Sequence, residues 1–366
     1  MKEILITNAT VSQDIIGGAS KAIDDIADQL AKDQYRVFIF APNRSGSKRP
    51  CFEIISPNIS IIRYKYFQKF RILNPLFAIA TYLKFFGLKR FDLVWGNSPE
   101  PWIYIPKNGK KKIYSVHGPW KTESNLDKSN KNRLRELSIN LAYRFILKKD
   151  VLYHFQSDYV FNACIKEEAR FQKFKKIIIP VLLDEKKLLK KRSKSFKSHS
   201  KKINILVARR LVNRTGVREF LRLTDGLDEF LDITIIGDGY LSDSIKELSR
   251  YRPNVRFLGK VEDDILYEEI AKCDLVCMPS IDAEGFGASI LQALFLFKPV
   301  LYTKVGGMNE FLQHNTDCFP FDLDQKNEFE CLIKKLLNLK IERRLTVNLS
   351  AIDYSFSNNL EKILNA

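Results

Sequence analysis

The 366-residue sequence has few cysteines, and none of the six falls in a Cys-x-x-Cys pair. Cys273 and Cys277 flank an apolar segment with no histidine at ligand spacing beside them. Neither a disulfide framework nor a zinc site is supported, and reduced core cysteines of a cytoplasmic protein are the plain reading. No window approaches the roughly eighteen uncharged apolar residues that a spanning helix needs. The start, MKEILITNAT, holds an apolar run too short for a secretory signal, with Glu3 inside it. Any membrane contact is therefore expected to be peripheral. No short-period repeat is visible. Acidic charge is also scarce: 43 Asp+Glu stand against 60 Lys+Arg, a formal charge of +17. That excess suits a polyanionic partner, whether nucleic acid, an anionic membrane surface or phosphate-bearing small molecules. Charge alone does not choose among them.

What is present is alternation. EILIT is followed by a helical pattern from about Ala19 to Lys32 and then by RVFIFAP. SIIRYKY, a helix begun at Asn74-Pro75, FDLVWGNS, KKIYSVHG, a helix from Leu134 to Leu147, VLYHFQS and KIIIP continue it. The second half repeats the scheme from KINILVARR to KPVLYT, with helices from Val217, Leu241, near Ile265 and from Ala288. Nearly continuous apolar strands between helices predict parallel sheets covered on both faces. Two such runs predict two doubly wound α/β domains facing each other. Between them, residues 184 to 202 are dense in Lys and Ser without a sustained apolar period, which reads as a linker or exposed loop.

Ligands of open parallel sheets bind beyond the carboxyl ends of the strands, so the strand-end loops are the places to search. Gly17-Gly18 precedes a helix and is either a tight turn or a close approach of bare backbone to a phosphate or sugar. IIGDG imitates the start of a dinucleotide fingerprint, but Ser242 stands at the third glycine, so a nicotinamide cofactor is weakly supported. SVHGPW sets His117 at a strand end, where it is either a packed residue or a working one. VARRL ends a strand with Arg209 and Arg210, suited to phosphate oxygens or to a surface ion pair. In EGFGASILQAL, Glu284 opens an exit loop, and Gly285 and Gly287 let backbone approach a ligand. The following helix offers unpaired N–H groups to an anion. VGGMNE supplies a further Gly-Gly, with Glu310 behind it.

GGAS, SVHG, VARRLVNRTGV, IIGDG, VRFLG, EGFGASILQAL and KPVLYTKVGGMNE occur in the order seen in glycosyltransferase family 4. The sequence resembles that family of retaining, nucleotide-sugar-dependent enzymes of bacterial surface polysaccharides over nearly its whole length. The resemblance implies the GT-B fold, two Rossmann-like domains with a cleft between them. The expected division is an acceptor domain over 1–185, a basic linker over 186–202 and a donor domain over 203–354, with a terminal helix at 355–366 completing the first.

The resemblance also implies roles. Arg210 would grip the donor diphosphate, helped by Arg214, Gly287 and Ala288. The family's lysine position is Thr215 here. Glu284 would sit by the donor sugar as the leading acid, with Gly285, Phe286 and Val261 around sugar and nucleoside. The second glutamate of the family's box is Gln292, whose amide can still accept a hydrogen bond from a ribose hydroxyl. His117 would serve catalysis, and Gly17 and Gly18 would line the acceptor side. Diphosphate departure needs positive charge rather than a metal in this scheme. No cofactor is expected beyond a UDP- or GDP-linked donor as substrate. Asp322 and Asp324 in FDLD imitate the acidic pair of another transferase fold but lie in the wrong context.

Residues 64 to 91 mix aromatics with Lys65, Lys69, Arg71, Lys84, Lys89 and Arg90. The helix is expected to pack, with Asn74 as cap and Pro75 in its first turn. The loop from Tyr64 to Arg71 is expected to be an exposed basic-aromatic face. With the net charge, this suits a lipid-linked or lipopolysaccharide acceptor at the inner face of a bacterial membrane. Two rivals stand beside a glycosyltransferase. One is a partner subunit that keeps the fold without turnover. The other is a basic nucleic-acid-binding protein, which lacks a recognition module.

Overall fold

The structure is a computed structural model and describes all residues except 12–17, 45–48, 123–132, 192–200, 283, 313–317, 342–346 and 348–353. Gly17 and most of the expected linker lie outside the described residues. The chain forms two compact units. One comprises Met1–Lys121, Asn132–Asp184 and Phe356–Ala366, and the other has Glu185–Ser355 as its main body.

The N-terminal unit carries strands β1 (Glu3–Thr7), β2 (Arg36–Asn43), β3 (Phe52–Ser56), β4 (Ile59–Lys65), β5 (Phe91–Gly96), β6 (Gly109–Val116), β7 (Leu152–Phe155) and β8 (Lys176–Ile178). They form one sheet in the order β3-β4-β2-β1-β5-β6-β7-β8. Every pairing is parallel except β3 with β4. The antiparallel hairpin was missed in sequence, because CFEIIS is short and leaves Phe52, Ile54 and Ile55 exposed. Helices α1 (Gly18–Lys32), α2 (Asn74–Phe86), α3 (Pro99–Tyr104), α4 (Arg133–Ile146) and α5 (Asp158–Glu167) connect the strands.

The C-terminal unit begins with a short helix α6 (Glu185–Lys190), where a linker was expected. Its Leu188 is buried, and that one leucine holds a short basic helix that shows no long apolar period. Strands β9 (Ile203–Ala208), β10 (Leu231–Ile236), β11 (Val255–Gly259), β12 (Leu275–Met278), β13 (Val300–Thr303) and β14 (Cys318–Phe321) follow. Between them run α7 (Val217–Leu223), α8 (Ser242–Arg250), α9 (Asp263–Lys272), α10 (Ala288–Phe295), α11 (Met308–Leu312) and α12 (Lys326–Ile341).

All six strands are parallel, in the order β11-β10-β9-β12-β13-β14. The side-chain period of two splits each strand between two cores. Ile203, Ile205 and Val207 of β9 pack with Leu275 and Cys277 of β12 on one face, under Phe220 and Ile333. Leu206, Val276 and Met278 point to the other face, under Ile290, Leu294 and Met308. Burial on both faces is why these strands read as unbroken apolar runs.

The last helix, α13 (Phe356–Asn365), returns to the N-terminal unit. Phe356, Leu360 and Ile363 are buried. Lys111 donates its ammonium to the carbonyls of Ile363 and Leu364, the end of the helix where backbone acceptors lack intrahelical partners.

Candidate active site

In a sheet of this order the chain switches direction between its first and fourth strands, here β9 and β12, and the crevice beyond their carboxyl ends is where such folds bind ligands. Arg209 leaves β9 at that point, and Pro279, Ser280 and Glu284 leave β12. Arg209 donates one guanidinium nitrogen to Glu284 Oε2 and another to Ser280 Oγ. Ser280 in turn donates to the same Glu284 oxygen at 3.1 Å. Both bonds fall on Oε2, and among the described residues none reaches Oε1. The two ionic side chains are only 7% and 14% exposed. Burial works to raise the Glu284 carboxyl, but the charge and hydrogen bond of Arg209, aided by Arg214 and Ser280, hold it below the ordinary carboxylate range. At neutral pH Glu284 is an oriented anion.

The loop carrying Glu284 is gripped through its backbone. Gly307 N–H donates to the Glu284 carbonyl at 3.0 Å. Gly306 adopts φ +66°, and a Cβ there would fall 2.0 Å from that carbonyl oxygen. Gly306 is thus required where backbone approaches backbone. The glycines of IIGDG have the same cause: a Cβ on Gly237 would lie 1.7 Å from the Arg209 carbonyl oxygen. They pack the β10 exit loop onto the β9 exit loop.

The other residues singled out in the second half of the sequence lie in the C-terminal unit. Arg210 is exposed, and among the described residues no carboxylate pairs with it. Arg214 lies in the same exit segment, and its carbonyl accepts from Ile281 N–H at 2.9 Å. Thr215 is buried, with its hydroxyl 2.8 Å from the Arg210 carbonyl and 2.7 Å from that of Val212. Its side chain shapes the turn and presents no cation. Gly285 and Phe286 are buried in the loop, and Gly287, at φ +79°, caps α10 ahead of Ala288. Gln292 is buried one turn further along α10. Val261, after β11, packs against the core beneath α10 and α11.

His117 and Gly18 belong to the N-terminal unit. His117 follows β6, and its Nδ1 lies 2.7 Å from the Gln156 amide nitrogen, so the ring accepts there and carries its proton on Nε2. That nitrogen is buried and, among the described residues, has no hydrogen-bond partner. Burial pushes the imidazole down to about 4, with the Asn97 backbone opposing. His117 is therefore a neutral N–H donor, unable to hold a proton as an imidazolium at neutral pH. Behind it, His154 is buried between the Ser115 hydroxyl at 3.0 Å and the Ile179 carbonyl at 2.8 Å, and burial likewise lowers it to about 4. Gly18 is the first residue of α1.

Asp322 accepts from the Asp324 N–H at 3.0 Å, a turn leading into α12. Among the described residues no three His, Cys, Asp or Glu side chains gather as a metal site would require. Arg209 and Ser280 were not singled out as partners of Glu284 in sequence, because 75 and 4 positions separate them from it and only the sheet order brings the first across.

A doubly wound unit with an arginine-held carboxylate at its switch point, preceded by a second parallel-sheet unit, defines a two-unit α/β enzyme class. Sequence comparison supplies the family. The profile of Glycosyltransferase Family 4 matches residues 16–159, and that of Glycosyl transferases group 1 matches residues 189–349. An uncharacterised glycosyltransferase of Methanocaldococcus jannaschii is 25% identical over 81% of this chain and 79% of its own. Among solved structures, Anabaena HepE in complex with UDP and glucose superposes with a TM-score of 0.71 at 19% identity, covering 100% of this chain and 99% of that one. WaaG, a glycosyltransferase involved in lipopolysaccharide biosynthesis, gives 0.66 at 16% identity, covering 99% and 98%. The chain has the GT-B fold, and each of its halves matches a glycosyltransferase family.

Proposed function

We propose that this chain transfers a sugar, with retention of anomeric configuration, from a UDP- or GDP-linked donor to a glycan or glycolipid acceptor of bacterial lipopolysaccharide, O-antigen or capsule synthesis. The observation that carries the donor side is the convergence at one switch point of the free Arg210, the Arg209-held Glu284 and the start of α10. In the reaction the bond from the anomeric carbon to the diphosphate breaks, and negative charge grows on the departing phosphate. Arg210, Arg214 and the unpaired N–H groups at the start of α10 stabilise that charge. Glu284 accepts at Oε1 from a donor-sugar hydroxyl and places negative charge near the oxocarbenium-like centre. Gln292 takes a ribose hydroxyl, and Phe286 and Val261 border the nucleoside and sugar. On the N-terminal unit, His117 offers its Nε2–H as a neutral donor to a substrate oxygen, and Gly18 serves the acceptor side.

The name of WaaG and the basic face of residues 64–91 support a lipid-linked acceptor met at the inner face of the membrane. No helix among the described residues is long and apolar enough to cross a bilayer, so the attachment proposed is peripheral. The buried Thr215, which supplies no cation, favours one second reading: a partner subunit that binds donor without turning it over.

Thermal-shift screening with UDP, GDP, ADP and their sugars tests the donor, since a ligand of the native state raises its melting point. One nucleotide series should stabilise selectively. Glu284→Gln and Arg210→Ala should then abolish transfer in folded protein, and full turnover in both would remove the site assignment. Binding without donor hydrolysis or transfer would favour the partner subunit.

A further inference from the structure

The expectation that α2 is a packing helix holds for only one of its faces. Asn74, Ala78, Tyr82 and Phe86, four residues apart, are buried against the sheet. Asn74 does not cap the helix: its amide accepts from Phe67 N–H at 2.8 Å and donates to the Phe67 carbonyl, closing the preceding loop. The opposite face is apolar and uncovered. Ile72 is 85% exposed, Leu76 64%, Ile79 38% and Leu83 47%, and the spacing of four, three and four residues sets them in one stripe. Phe70 at 64% and Leu88 at 86% extend it at either end. At one flank Phe52 stacks on Phe85, and the exposed Ile54 lies two residues along the same strand. A thirteen-residue helix makes this stripe about 20 Å long.

The charges around the stripe are of one sign. Residues 64–91 contain no Asp or Glu. Lys69, Lys84 and Arg90 are exposed, and among the described residues no carboxylate pairs with them. Lys65 lies over the Phe67 and Phe77 rings. Lys89 is held by Glu3, and the neighbouring Glu53 turns to the buried Arg63. An aliphatic stripe without polar groups, bordered by unpaired cations, complements acyl chains beneath anionic headgroups. A second copy of this face would meet it cation against cation.

We propose that the outer face of α2, with Phe70 and Leu88, inserts into the interface of an anionic bilayer. This rests on the reading of a lipid-linked acceptor and names the element that brings the N-terminal unit to it.

The test is co-sedimentation with vesicles of phosphatidylglycerol and phosphatidylcholine, and with phosphatidylcholine alone. The protein, a Leu76→Gln/Ile79→Gln/Leu83→Gln variant and a Lys69→Gln/Lys84→Gln/Arg90→Gln variant are compared. All three positions of each set are exposed, so both variants should keep the parent melting point and donor hydrolysis. The parent should bind anionic vesicles in a salt-sensitive way. The apolar variant should lose at least about tenfold in partitioning, and the charge variant about fivefold per cation removed. Unchanged binding of the apolar variant would overturn the inference. So would a parent that is dimeric without vesicles while the apolar variant is monomeric, since the face would then be a self-contact. Absent vesicle binding with intact transfer to a water-soluble acceptor would sink the membrane face alone, whereas absent donor hydrolysis and transfer would sink the functional reading.

Discussion

Replacing Arg209 by glutamine tests whether the switch-point carboxylate is held ionised by one partner. The side chains of the pair are 7% and 14% exposed, so neither charge has much water to fall back on. Deleting one partner of a buried ion pair costs about 3–5 kcal/mol, because the other is left uncompensated. For a unit of this size about 1 kcal/mol moves the melting point by about 2–4 °C, so the C-terminal unit should melt on the order of 10 °C lower at pH 7.5. The pH dependence separates this from simple loss of packing. In the parent, Glu284 titrates below the ordinary carboxylate range, so on acidification the unfolded chain takes up that proton first. The contribution of the pair is therefore full above the ordinary range and is lost as pH falls through the folded value. In Arg209→Gln the burial of the carboxyl loses its main countercharge, and the folded value should rise above the ordinary one. Protonation then favours the folded state, and the gap between parent and variant should narrow as pH falls from about 7.5 to 5. Differential scanning fluorimetry at several pH values reads it directly. A gap that stays constant with pH, or no gap at pH 7.5, would refute the electrostatic account.

Two other outcomes follow from the same geometry. His117 and His154, lowered to about 4 by burial, should stay neutral through pH 5.5 in ring-nitrogen NMR. Because the unfolded histidines bind protons first, from 6.5 downward, the N-terminal unit should lose stability as pH falls from 6.5 towards 4, and a flat melting profile there would contradict it. Gly306→Ala should cost about 3 kcal/mol or more, since its Cβ would lie 2.0 Å from the Glu284 carbonyl oxygen at φ +66°. Gly226→Ala, at φ +79° with nothing within 4 Å, should cost only about 1–2 kcal/mol, and equal losses in urea titrations would show that backbone approach is not the cause.

Much of the architecture is legible in the chain because burial on both faces of a parallel sheet imposes continuous apolar strands. EILIT, RVFIFAP, DITIIGDG and KPVLYT coincide with β1, β2, β10 and β13 to within a few residues. Elements that bury little escaped. The hairpin strand β3 exposes three large apolar residues, α6 buries one leucine, and α3 begins at a proline within a loop-like stretch. The strand-end glycines were visible, but their purpose was not. Whether a glycine admits a ligand or another backbone depends on what lies 2 Å from its missing Cβ, and here that is the carbonyl of Glu284 or Arg209.

The residue chemistry near the site divides along the same line. Local sequence determined that a carboxylate, glycines and a helix start follow β12, and that two arginines end β9, because strand exits and helix starts depend on neighbours along the chain. It also determined the run of cations without acids from Tyr64 to Phe91. Tertiary structure alone decided that Arg209, 75 positions away, and not Arg210, meets Glu284, and that Thr215 turns its hydroxyl inward. It alone decided which face of α2 the sheet covers. The order of strands sets β9 beside β12, and contact between residues far apart in the chain exists only once that order has formed.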